Sequence, residues 1–468
     1  MLTGDEIARH KSADSCWVVI NGVAYDVTDF LPEHPGGAGI ILRYAGRDAT
    51  AEYEPVHPPG TIEENLPKEK CLGKVDMTTL KEAIVTTSNR EVPKPPVNLV
   101  LNLEEFEGWA KKTLSAKAWA YYSSAADDLF SKQANARDWR RIVLRPRILV
   151  DVADADARTT FLGHNVSIPV MISPAAQARL GHPDGEAALT RVAGQKGIVY
   201  AMSNHASMSV GQVAAASTPE QCNWFQIYVK DDRQRSEALL AEVVKLGFRA
   251  VVLTVDAATP GKREEDERVN MQGMDPSALG VGKATAVGTA MDLTWAHTLP
   301  WLRKNVKGLP IIIKGIQTWE DAVLAVEHGV QGIIVSNHGG RSLDTAPSTV
   351  NILLEIRAYA PQVFTQVEVF VDGGIYRGTD VIKALCLGVR GVGIGRAPLY
   401  ALGSYGPEGV ARLLDILSDE IHTGLRLLGV TKLDQLSPAY LNTKLLNDDV
   451  LLDDFHKPAP RSHMKSRL

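Results

Sequence analysis

From Val166 to Arg396 the chain switches repeatedly between two hydrophobic patterns. Eight short, almost wholly apolar runs rich in β-branched residues can be read: VSIPVMIS, GIVYAMS, NWFQIYV, RAVVLTVD, LPIIIKG, GIIVSN, VEVFVDG and GVGIGR. Between them lie stretches whose apolar residues recur at helical spacing, such as RQRSEALLAEVVKLG and QTWEDAVLAVEHG, which run into glycine as helix ends do. Strands apolar on both faces must be covered on both faces. Eight of them, each followed by a helix, predict an α/β fold closed into a parallel (β/α)8 (TIM) barrel. The first 76 residues lack this alternation and read as a small α+β domain of short strands and helices. The stretch TTSNREVPKPPVNLV, with Pro93, Pro95 and Pro96, reads as an extended linker, because proline interrupts helix and central strand alike. The predicted organisation is a small domain over 1–76, a linker over 77–97, the barrel over 98–440 and a C-terminal tail over 441–468.

Composition narrows the class. The 468 residues carry 50 Lys and Arg against 55 Asp and Glu, a net charge of −5 that gives no footing for a nucleic-acid partner. With 45% hydrophobic and 22% charged residues, a folded core is expected rather than a disordered or disulfide-stapled chain. Cys16, Cys71, Cys222 and Cys386 form no C-x-x-C pair, so buried free thiols are expected, not a zinc site or a disulfide framework. No apolar run reaches the ~18 residues of a membrane span, and neither a secretory signal nor a membrane partner is expected. The final Ser466, Arg467 and Leu468 read as a peroxisomal address of the S-K-L type, with the cytoplasm as the alternative.

A domain of 76 residues buries little surface and often completes its core with a cofactor. His34 stands in EHPGG and His57 in VHPPG, both on turn-rich segments. CWVVINGVAYDVTDFLPEHPGG, followed by YAGRDAT and His57, resembles the cytochrome b5 family over residues 1–76. The resemblance implies a haem b whose iron takes His34 and His57 as axial ligands from opposite faces. With both positions filled, such a haem passes single electrons and offers no site to oxygen or substrate. Leu31, Ile40, Ile41 and Leu42 are the expected apolar lining.

In the barrel, the apolar runs end in Ser173, Ser203, Gln226 with Tyr228, Thr254 with Asp256, Lys314, Ser336 with His338, Asp372 and Arg396. Polar residues closing all eight strands converge on one face, where barrel enzymes place their active sites. Asp372, Gly373 and Gly374, with Gly395 and Arg396, have the makings of a phosphate site after strands seven and eight. His338 suits a general base, Asp256 a carboxylate that steadies its imidazolium, Arg341 a clamp for a carboxylate, and Lys314 a fixed positive charge beside a developing anion.

The segments AWAYYSSAADD, SPAAQARLGHPDGE, WFQIYV, LTVDA, GKREED, IIIKG, VSNHGGRSLD, VFVDGGIYRGTDVIKALCLG and GVGIGR resemble the FMN-dependent 2-hydroxy-acid dehydrogenase and oxidase family over about residues 98–440. The two halves together resemble the flavocytochrome b2 family of L-lactate:cytochrome c oxidoreductases. That resemblance implies FMN held by the backbone of Pro174, Ala175 and Ala176 and by Ser203, Gln226, Thr254, Lys314 and Ser336, with its phosphate at Asp372, Gly373, Gly374, Gly395 and Arg396. It places Tyr121, Arg263 and Arg341 on the substrate carboxylate, Tyr228 on the hydroxyl, His205 beside the substrate tail, and His338 with Asp256 as the base. The implied reaction oxidises an L-2-hydroxy acid, L-lactate first, and sends electrons through the haem to a cytochrome c-like acceptor. The alternative is a peroxisomal oxidase that reduces O2 to H2O2. A homotetramer and a mitochondrial intermembrane-space location are further implications of resemblance alone.

Two departures from the family pattern bear on function. Tyr376 replaces an arginine near the FMN phosphate, and Asn204-His205 replaces larger apolar residues, which points to a polar substrate tail. The segment from Lys262 to Asp292 reads as a mobile loop after strand four. Glu33, Glu52, Glu54, Glu63 and Glu64 lie close to the haem ligands in sequence and are expected to face a basic acceptor.

Overall fold

The computed structural model describes residues 1–34, 36–80, 92–271 and 289–450. In the N-terminal part, β1 (Ser15–Ile20) pairs antiparallel with β2 (Val23–Asp26). The type of turn between them is set by Asn21 and Gly22, both at positive φ. The helices α1 (Ala38–Leu42) and α2 (Thr50–Tyr53) follow, and β3 (Cys71–Lys74) returns to pair with β2. One face of this sheet buries Cys16, Val18 and Ile20 against Leu31, Ala38 and Ala49, with Ile41 and Leu42 packed alongside. Folded chain continues to Leu80: the Thr79 hydroxyl accepts from Gly4 N–H at 2.7 Å, and Leu80 packs on Ile7 and Val75. Part of the expected linker, residues 81–91, lies outside the described residues.

Each of the eight apolar runs forms a strand: β4 (Val170–Ile172), β5 (Val199–Met202), β6 (Asn223–Ile227), β7 (Ala250–Thr254), β8 (Ile311–Ile316), β9 (Gly332–Val335), β10 (Glu368–Asp372) and β11 (Gly391–Ile394). Each pairs in parallel with the next, and β11 closes on β4 through Gly393 opposite Met171. The strands read as uninterrupted apolar runs because their outer sides pack under helices and their inner sides fill the barrel. RQRSEALLAEVVKLG forms the helix Arg233–Lys245 and QTWEDAVLAVEHG the helix Trp319–Glu327, with Gly247 and Gly329 at positive φ just beyond.

The N-terminal end of the barrel is plugged. Phe161, from the hairpin of Thr159–Phe161 with His164–Val166, meets Phe370 and Trp224; the Phe161 and Phe370 centroids are 5.0 Å apart at 79°. Phe161 lies so close to Gly391 at the start of β11 that a Cβ there would come within 2.2 Å of its ring. Among the described residues, the opposite, C-terminal end of the strands is the one that opens to a cavity.

Three helices build the wall beside that end: α3 (Leu103–Thr113), α4 (Ala116–Ser123) and α5 (Phe130–Arg141). Asn102 and Ser115 cap the first two, accepting from Glu105 and Ala118 N–H. The closing helix α6 (Arg396–Leu428) packs on α3 and breaks at Gly406. Leu441 then pairs with Leu144 and Leu446 is fully buried in the barrel core, so packed chain runs past residue 440.

Two expectations need correction. Cys71 is exposed, whereas Cys16, Cys222 and Cys386 are buried free thiols as expected. The segment expected as a mobile loop contains the helix Glu264–Met271, whose acidic first turn suits the positive end of a helix; the rest of that expectation falls on residues 272–288, outside the described residues. The C-terminal tripeptide also lies outside them. Among the described residues no helix is long and apolar enough to cross a membrane.

Candidate active site

The C-terminal strand ends surround a cavity of about 300 Å³. Buried polar atoms without partners lie at these strand ends: Asp372 Oδ1 in the cavity's lining, with Gln226 Nε2 and Thr254 Oγ1 on the neighbouring strands. An unpaired buried donor or acceptor is destabilising by about 1–3 kcal/mol, so three at the end of one barrel call for a polar ligand. Ser203, also buried, bonds Gln226 Oε1 at 3.2 Å and so aims the amide.

Lys314, on β8, is the buried cation of the site. Its Nζ donates to Ser336 Oγ at 2.9 Å and lies 3.8 Å from both Asp256 and Asp372. Ser336 also accepts from His338 N–H at 3.1 Å, which ties the loop after β9 to that lysine. His338 sits in the left-handed region at φ 58°, a conformation a non-glycine residue holds only when its surroundings fix it. Its Nδ1 lies 2.7 Å from Asp256 Oδ1, and its Nε2 lies 3.3 Å from the Tyr228 hydroxyl.

Burial pushes the Asp256 carboxyl up, but the charges of His338 and Lys314 and the His338 hydrogen bond outweigh it and hold the group below its ordinary range. An ionised carboxylate only accepts. Nδ1 therefore carries a proton, and in the neutral ring the Nε2 lone pair faces Tyr228 and the cavity.

Arg263 and Arg341 both stand over the Tyr121 ring, each 5.4 Å from its centroid. Arg341 donates to the Tyr121 and Ser124 carbonyls at 2.9 Å. Burial, then the charges of Arg263 and Arg396, pull it down to about 10, still protonated at neutral pH. Crowded cations of this kind are relieved by an anion, and a carboxylate matches the guanidinium fork. His205 also lines the cavity, its ring stacked on Tyr228 at 4.9 Å.

At the other side, Pro174, Ala175 and Ala176 line the wall and Gly373, Gly374 and Gly395 form a cradle. Gly374 has φ 78°, and a Cβ there would lie 2.4 Å from the Asn135 carbonyl, so only glycine fits. Arg396 spends three N–H groups on the Tyr122, Ser124 and Gly339 carbonyls at 3.0 Å, which leaves part of its fork for a ligand. The Tyr376 hydroxyl reaches Glu107, at 3.4 Å. Tyr121, Ser203, Tyr228, Arg263, Lys314, His338, Arg341, Asp372 and Arg396 thus share one cavity, with Gln226, Thr254, Asp256 and Ser336 bonded to or directly beside its lining.

Sequence reading missed Asn135 and the role of Asn337. Their side-chain amides bond each other reciprocally at 2.8 and 3.0 Å, and Asn135 also accepts from Thr349 N–H. This pair fixes the His338 loop against α5. Asn337 was visible within SNHGGR; Asn135 sits mid-helix with no local signal.

In the small domain, His34 and His57 face each other with ring centroids 6.1 Å apart. His34 Nδ1 donates to Gly37 O at 3.2 Å and His57 Nδ1 to Tyr53 O at 3.0 Å. A carbonyl only accepts, so both Nε2 lone pairs are free for a metal between the rings. Burial lowers both imidazoles, His57 to about 4, and keeps them neutral as ligation requires. The donor set of two opposed neutral imidazoles beside Leu31, Ile41 and Phe30 fits an apolar haem.

Comparison with known proteins gives the family of each part. Residues 110–443 match the FMN-dependent dehydrogenase family and residues 3–76 the cytochrome b5-like heme/steroid binding domain. The chain is 41% identical to L-lactate dehydrogenase (cytochrome) of Wickerhamomyces anomalus over 96% of this chain and 81% of that protein. Glycolate oxidase 3 of Arabidopsis thaliana is 38% identical over 74% of this chain and 96% of its own length. The flavin-binding domain of baker's yeast flavocytochrome b2 superposes with a TM-score of 0.71 at 39% identity, covering 78% of this chain and 94% of that structure. The chain belongs to the FMN-dependent dehydrogenase family, joined to a cytochrome b5-like haem-binding domain, and its cofactors are FMN and haem b.

Proposed function

We propose that the barrel oxidises an L-2-hydroxy acid, L-lactate foremost, to the 2-oxo acid, and that electrons leave through the N-terminal haem to a cytochrome c-like acceptor. The observation that carries this is His338, with Nδ1 bound to ionised Asp256 and Nε2 turned to the Tyr228 hydroxyl in the cavity that Arg263 and Arg341 also line. Arg263 and Arg341, with Tyr121, hold the substrate carboxylate; Tyr228 meets the hydroxyl; and Nε2 takes the proton, the resulting imidazolium being stabilised by Asp256. FMN, when bound, accepts the electron pair, and the haem takes electrons singly. Pro174, Ala175, Ala176, Ser203, Gln226, Thr254 and Ser336 hold the flavin ring. Lys314 offers charge to it, while Asp372, Gly373, Gly374, Gly395 and Arg396 receive the phosphate.

The test compares acceptors. Purified protein turning over L-lactate in air is expected to reduce cytochrome c with little H2O2; H2O2 matching the lactate consumed would make it an oxidase instead. That second reading has the glycolate oxidase likeness behind it, but the likeness stops at the barrel. The peroxisomal reading of residues 466–468 gains no support from the comparisons. The homotetramer is also a proposal, checked by light scattering of the purified protein.

Two side chains set expected differences from relatives. Tyr376 brings a hydroxyl held by Glu107 where a cation would suit a phosphate, so Tyr376→Arg is expected to lower the FMN dissociation constant by about tenfold, measured by recovery of free-flavin fluorescence on dilution. Unchanged affinity would show that Arg396 and the glycine amides suffice. His205, at the cavity beside Tyr228, favours a polar tail, so malate is expected to compete well with lactate and His205→Leu to shift kcat/KM toward mandelate by about tenfold. Native preference for purely apolar tails would sink this reading.

A further inference from the structure

Basic side chains of the barrel meet the haem domain at named points. Lys117 Nζ donates to Glu52 Oε2 at 2.7 Å, Arg179 Nη1 to the Glu54 carbonyl at 2.9 Å, and Arg235 Nη1 to Asn65 Oδ1 at 3.4 Å. The Glu52 side chain is only 10% exposed and that of Lys117 25%, so solvent screens this pair less than it screens an open surface pair. Glu33, Glu54, Glu63 and Glu64 are exposed, so the acidic group expected to face an acceptor is divided, with Glu52 turned toward its own barrel.

The ion pair joins two elements that matter. Glu52 lies in α2 beside Tyr53, whose ring stacks on His57 at 4.2 Å and whose carbonyl accepts the His57 Nδ1 proton. Lys117 lies in α4, the helix that carries Tyr121 to the substrate cavity. Two contacts, His57 with Tyr53 and Glu52 with Lys117, therefore link an axial histidine, through the helices that carry them, to the wall of the active site.

We propose that Lys117 and Arg179 form a docking surface for the Glu52–Glu54 segment of the haem domain, and that the Lys117–Glu52 pair holds that domain where its iron receives electrons from the flavin. The pair is a positioning contact and carries no electrons; each transfer removes one electron from reduced flavin and converts ferric to ferrous iron. This rests on the electron route proposed above. Because the contact is electrostatic and partly wet, rising salt weakens it and slows haem reduction without touching the chemistry at His338.

A zero-length carbodiimide tests the contact in the full holoenzyme. An amide between Lys117 Nζ and the Glu52 carboxyl, found by peptide mass spectrometry and lost at high salt, is expected. Lys117→Met and Glu52→Gln are each expected to slow haem reduction about tenfold in stopped flow with flavin reduction unchanged, because an interfacial charge pair acts on docking. The exchanged double variant Lys117→Glu with Glu52→Lys should restore the rate. Absence of the cross-link in the native protein, or haem reduction at the native rate in both single variants, overturns the proposal. Failure of L-lactate to reduce the native flavin would strike the substrate reading alone, since the cross-link still reports docking.

Discussion

Replacing His338 by glutamine is expected to slow flavin reduction by L-lactate by about 10³–10⁴-fold, the upper range for loss of a positioned general base. Nε2 lies 3.3 Å from the Tyr228 hydroxyl, and the Nδ1–Asp256 bond of 2.7 Å turns it there. A glutamine amide keeps roughly the same bulk but cannot take a proton. Asp256→Asn is expected to fall less far, because the imidazole stays in place while its cation loses a counter-charge at a side chain with no solvent exposure. Substrate affinity should survive both changes, since Arg263, Arg341 and Tyr121 are untouched. Rapid-mixing flavin bleaching measures this directly, and a loss of less than tenfold in His338→Gln would remove the residue from the role of base.

The second large effect is expected from His57→Ala. The haem band should vanish from purified protein and cytochrome c reduction should fall at least about a hundredfold, more than loss of a metal's outer-shell partner produces. Flavin reduction by L-lactate should stay near the native rate. The ring does more than ligate: it stacks on Tyr53 and bonds its carbonyl, so its loss also loosens α2 beside the metal site. Metal binding is folding energy for a domain this small, and reduced protease resistance confined to residues 1–80 should accompany haem loss. A variant that retains haem and reduces cytochrome c normally would show that His57 is no ligand.

The barrel was legible because its strands are apolar on both faces. Runs such as Ile311–Ile316 carry that pattern without knowledge of their neighbours. His338, Asp256 and Lys314 were legible for a related reason: each ends such a run, and all eight runs end on one face. What escaped depends on distant partners. Asn135 bonds Asn337 from 202 positions away, and nothing in FSKQANARDW marks it. Glu52 looked like one of five surface acids, yet its partner Lys117 is 65 positions along the chain. Arg396 belongs to the phosphate site expected from sequence, but that three of its N–H groups go to the Tyr122, Ser124 and Gly339 carbonyls is visible only in the fold. Leu446 belongs to the barrel core because of where the chain returns, which local polarity does not reveal.

The proposed enzyme works two redox centres in series, a flavin reduced by the substrate and a haem reduced by the flavin. Mixing oxidised holoenzyme with excess L-lactate under nitrogen, while following flavin and haem bands together, tests it most directly. The expected result is flavin bleaching first, haem reduction following it, and three electrons stored per chain at the end. Flavin bleaching with the haem left oxidised, or no bleaching at all, would contradict the account.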